Sequence, residues 1–133
     1  MKKMLLIALV MFAFSASACL AGEINLVGTW QGDMSLHNEH TGFVYKKDNS
    51  TKLIIEKEEN GAFYGKREWT RNGTDYVEGF SGVMSPDGRR LYFAGHDDGY
   101  FFADVLGFDE LTVYYLEDGG EAKAIRQNLK RVK

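Results

Sequence analysis

The sequence predicts an all-β domain, a single antiparallel up-and-down β-barrel of about eight strands. Three observations lead to it. Turn signals recur about every ten residues from Asn60 to Gly120, and short runs rich in aromatic and β-branched residues lie between them. Aromatic residues make up 14% of the 133-residue chain, with 15 Gly and a single Pro, a composition that suits strands joined by tight glycine turns better than a helical bundle. The hairpins follow one another without a long crossover, and closing the sheet on itself removes two exposed edges. A two-sheet β-sandwich is the alternative, and its long connection would have to fall between Ser35 and Asn49.

Residues 1–21 read as a signal peptide, with cleavage near residues 18–22, ahead of one domain over residues 22–133. Lys2 and Lys3 form a positive start, Met4 to Phe14 an apolar stretch too short to span a bilayer, and Ser15 to Gly22 a run of small residues. Ala16-Ser17-Ala18 fits a signal peptidase, and with Cys19 it also resembles a bacterial lipoprotein box, with Ala16 where that box usually carries Leu. Cys19 is therefore a candidate lipidation site. A cut after Ala21 would discard it instead and exclude a disulfide. The mature chain is expected to be exported, periplasmic or secreted, or lipid-anchored through Cys19, with no transmembrane span.

The first strand is expected from Leu26 to Met34, with Trp30 buried on the face that carries Gly28, Gly32 and Met34. A weak strand near Gly42-Phe43-Val44-Tyr45 interrupts the expected loop from Ser35 to Asn49. Thr51–Glu58 and Ala62–Thr70 form a hairpin about Glu59-Asn60-Gly61. Asp75–Met84 follows Arg71–Thr74, where Gly73 tolerates positive φ, and Arg89–Gly95 follows Ser85-Pro86-Asp87-Gly88. His96–Gly99 leads to Tyr100–Leu106, Gly107–Glu110 to Leu111–Glu117, and Asp118-Gly119-Gly120 to a last strand from Ala122 to Val132. That last stretch is rich in good helix formers, so a helix competes there.

At Val27-Gly28-Thr29-Trp30 the chain resembles the opening strand of the avidin and streptavidin family, and more loosely the Gly-x-Trp start of lipocalins. Gly61-Ala62-Phe63-Tyr64-Gly65 is similar to the second avidin-type hairpin. The likeness covers about forty residues and implies an eight-stranded barrel that holds a small molecule. It does not imply biotin, because Phe93, Phe101, Phe102, Tyr114 and Tyr115 stand on the strands where the family's ligand-wall Trp residues belong.

A four-residue loop from Arg71 to Thr74 would set Trp69 opposite Tyr76, Arg67 opposite Glu78, Gly65 opposite Phe80 and Phe63 opposite Gly82. Trp30, Phe102, Asp104 and Tyr115 would join that face if the turns keep the alternation. The candidate ligand site is therefore Trp30, Arg67, Trp69, Tyr76, Glu78, Phe80, Phe102, Asp104 and Tyr115: aromatic walls around a few charged anchors. The plainer alternative is that the aromatic residues simply fill the barrel.

Formal net charge is −3 with both signs interspersed, which leaves no footprint for nucleic acid. No phosphate loop, nucleophile elbow or Cys pair occurs, and Ser81 has no His near it in sequence. His37-Asn38-Glu39-His40 and His96-Asp97-Asp98 hold metal-ligand types, but polar loops and turns account for them without a metal. No cofactor is expected. The function expected is a non-enzymatic exported barrel binding a small, partly apolar ligand in its interior or open end. The alternative is a filled barrel whose surface Tyr and Phe residues, with the loop from Ser35 to Asn49, dock a protein or envelope component as an interaction or inhibitor module.

Overall fold

The computed structural model describes residues 24–47 and 50–133; the leader and Cys19 lie outside the described residues. Nine antiparallel strands run in chain order: β1 (Gly28–Asn38), β2 (Gly42–Lys46), β3 (Thr51–Glu59), β4 (Ala62–Arg71), β5 (Thr74–Met84), β6 (Arg90–Gly95), β7 (Tyr100–Gly107), β8 (Glu110–Glu117) and β9 (Lys123–Arg131). The spatial order is β2-β1-β3-β4-β5-β6-β7-β8-β9, and β1 also pairs with β9. Eight strands therefore close an up-and-down barrel, and β2 is an addition outside the ring.

β1 makes that arrangement possible by being longer than expected. Its start, Gly28–Gln31, pairs with β3, while Met34–Asn38 pairs with β2 along the same edge. The opposite edge pairs with β9 from Trp30 to Asn38. The expected loop from Ser35 to Asn49 is thus corrected: its first part continues β1, Glu39–Thr41 turn the chain, and Gly42 takes φ +69 to start β2. Ala122–Lys130 is strand from Lys123 onward, because pairing with both β8 and β1 outweighs local helix propensity.

Two hairpins turn through Asn-Gly pairs with positive φ at both residues, Asn60 (53°) with Gly61 (77°) and Asn72 (52°) with Gly73 (77°). That backbone matches the right-handed twist of the flanking strands. The pairing of Arg71 with Thr74 then sets Trp69 opposite Tyr76, Arg67 opposite Glu78 and Gly65 opposite Phe80, as the sequence suggested.

All eight ring strands send apolar side chains inward: Trp30, Leu53, Ile55, Phe63, Phe80, Leu91, Phe93, Phe101, Val113, Tyr115 and Leu129 among them, none more than 5% exposed. Phe80, Phe93, Phe101 and Tyr115 follow one another across four strands with ring centroids 5.0, 4.5 and 4.6 Å apart. A void the size of a water would leave accessible surface on its lining, so the interior around these residues is filled. One end is sealed by Arg131, whose guanidinium donates to the carbonyls of Asn25, Val27 and Phe108 and lies 4.2 Å from the Trp30 ring.

Candidate functional site

The opposite end is where the charged residues gather. Strand alternation turns Arg67 of β4 and Glu78 of β5 inward as a cross-strand pair, only 8% and 5% exposed. Arg67 Nη2 donates to Glu78 Oε2 at 2.8 Å, and the Asp98 amide donates to Glu78 Oε1 at 3.1 Å. The guanidinium carbon lies 4.3 Å from the ring centroids of both Trp69 and Tyr115 and 5.1 Å from that of Phe101. Such an aromatic surround favours a desolvated guanidinium through the ring quadrupoles. Arg67 Nε is buried and meets no acceptor among the described residues, an imperfection in an otherwise complete network. Gly95 makes room for Glu78, since a Cβ there would meet Glu78 Oε1 at 2.2 Å.

Above this pair the rim is formed by Trp69 and Tyr76, stacked at 5.4 Å and 12°, with Tyr76 42% exposed. On the far side, the Tyr115 hydroxyl and Lys123 Nζ both donate to Glu117 Oε2, each at 2.5 Å. Burial opposes the Glu117 charge, yet the bonds from Lys123 and Tyr115 together outweigh it and hold the carboxyl below its usual range. The Tyr115 hydroxyl is pushed well above the ordinary phenol range, first by burial and then by its bond to Glu117.

Five of the nine residues singled out from sequence therefore meet at this end: Arg67, Trp69, Tyr76, Glu78 and Tyr115. Phe80 lies in the filled core, and Trp30 lies at the sealed end, its Nε1 donating to Leu26 O at 3.1 Å. Phe102 and Asp104 do not join them, which corrects the expected facing. The β6–β7 connection is a three-residue turn, His96–Asp98, closed by the Gly95 amide on Gly99 O at 3.1 Å. One residue fewer in the turn reverses the alternation that follows, so Phe101 and Ala103 point in while Phe102 and Asp104 point out.

That reversal builds a second feature, on the outer wall. Register carries one row through Tyr64, Ser81, Ala94, Tyr100 and Leu116, and a parallel row through Ala62, Val83, Tyr92, Phe102 and Tyr114. Every one of these side chains is exposed, Tyr100 at 65% and Phe102 at 41%. Neither row contains a charged residue. Tyr92 and Phe102 meet edge to face at 6.1 Å. A shallow open trough of about 400 Å³ runs over Ser81, Val83, Tyr92, Ala94, Tyr100 and Phe102. Charges begin at its margin, where Asp104 receives Arg90 at 3.8 Å and the Tyr114 hydroxyl at 3.4 Å.

Ser81 also has a histidine beside it after all, with Oγ 3.0 Å from His96 Nε2. The pair was invisible in sequence because only the β5–β6 register brings the two together. His96 lies against Gly79, where a Cβ would stand 2.5 Å from Nδ1. The other candidate metal ligands are dispersed: His37 packs on Phe43 at 4.6 Å, and His40 approaches Gly120 O at 3.4 Å. No protein-family model and no curated protein matches this chain.

Proposed function

We propose that this is a non-enzymatic, exported β-barrel that works as a filled scaffold and docks an envelope component on its outer wall. The observation that carries the reading is the uncharged, half-aromatic double row across β4–β8 on a barrel whose aromatic core is buried. A filled interior leaves the core aromatic residues to stability, and contiguous exposed apolar patches mark interaction surfaces. A membrane-crossing barrel distributes its residues the other way, with an apolar belt all round and a polar lumen; here Lys52, Glu56, Lys66 and Glu68 occupy outward positions on β3 and β4. The leader supports export.

Photo-crosslinking in intact cells tests this. Tyr100→p-benzoylphenylalanine is expected to give a covalent adduct of raised mass, while the same substitution at Glu56, on the outer wall of β3, gives none. Absence of adduct from position 100, or equal adducts from both positions, would contradict the reading.

A further inference from the structure

We infer that the occupant of the outer wall is a neutral polysaccharide chain laid across β4–β8, an inference that rests on the wall being the working surface. Charge is the first argument. The two rows themselves hold no ionised group; at their margins Arg90 faces Asp104 and Lys57 pairs with Glu59, and Arg126 borders Tyr114 on β9. An uncharged ligand is the complement of such a surface.

The chemistry of the rows is the second. They are aromatic more than aliphatic, and Tyr64, Tyr92, Tyr100 and Tyr114 each add a hydroxyl to a ring. A pyranose has an apolar face of C–H bonds and a rim of hydroxyls, so it matches a ring face that carries its own hydrogen-bonding edge. Ser81, His96 and Asp104 supply further polar partners beside those rings.

Area is the third. With strands about 4.8 Å apart and alternate residues about 7 Å apart along each strand, the two rows project to about 300 Å². Even doubled for side-chain relief, that is below the about 800 Å² per partner of a standard protein–protein interface, so a globular partner would also have to engage the charged residues around the rows. A second copy of this chain or a globular protein would need more surface. An extended chain following the shallow trough over Tyr92, Tyr100 and Phe102 does not.

Calorimetry on the mature chain tests the inference with cellohexaose, chitohexaose, maltohexaose and mannohexaose as probes. At least one is expected to bind. Tyr100→Ala and Phe102→Ala should each weaken it by about tenfold, with Glu56→Ala unchanged. No binding of any probe at about 1 mM, or binding indifferent to both wall variants, overturns it. A discrete protein adduct from position 100 without oligosaccharide binding would remove the polysaccharide and leave the docking wall; the absence of both would remove both.

Discussion

Arg67 and Glu78 show why a residue can look like a ligand anchor and serve as structure. Their register was legible because Asn72-Gly73 fixes the turn, and an ion pair with aromatic neighbours resembles a binding site from sequence alone. What sequence could not show is that Trp69, Tyr115 and Phe101 close around the guanidinium and that the Asp98 amide takes the second carboxylate oxygen. Glu78→Leu strands a buried cation and should lower the unfolding free energy in urea by about 3–5 kcal/mol, whereas Glu78→Leu with Arg67→Met should recover most of that loss. Near-neutral single variants would contradict a buried pair. Glu117 gives a pH signature at the same end. Its carboxyl is depressed in the folded state, so the stability it contributes is present above the unfolded value of about 4.3 and is lost as pH falls through the lower folded value. Glu117→Gln should flatten the acid limb of the stability profile, and an unchanged limb would refute the assignment.

At the scale of elements, turn length decides most of what was legible. The β3–β4 and β4–β5 hairpins were readable because Asn-Gly specifies a two-residue turn. The face of β7 was not, since His96-Asp97-Asp98-Gly99 reads equally as four turn residues or three, and one residue exchanges Phe101 for Phe102. β2 was legible only as a weak strand at Gly42–Tyr45, since five residues flanked by polar stretches carry little periodic signal, and its pairing was hidden because it depends on the long reach of β1. Because β2 lies outside the ring, Val44→Pro should melt it locally and cost less than about 2 kcal/mol. The same change at Val113, in the middle of β8 between β7 and β9, should cost about 3 kcal/mol or more. Gly82 marks the packing limit, for its Cβ would fall 2.5 Å from Phe63 Cζ and 2.5 Å from Phe93 Cβ. Gly82→Ala should cost about 1–3 kcal/mol through overpacking, and a neutral result would show a looser core.

For the whole molecule, the barrel divides its aromatic residues between two tasks. Those facing in fill it; those facing out on β4–β8 leave a broad uncharged wall. Composition predicted a β-barrel and could not assign the faces, because β6, β7 and β8 each carry aromatic residues on both faces. The division rests on one alternation along β7, where Phe101 is buried and its neighbour Phe102 is exposed. Urea unfolding of Phe101→Ala beside Phe102→Ala tests it most directly. The inward residue should cost about 3–5 kcal/mol and the outward one less than about 1.5 kcal/mol. Equal losses, or the reverse order, would mean that the wall proposed for docking belongs to the core.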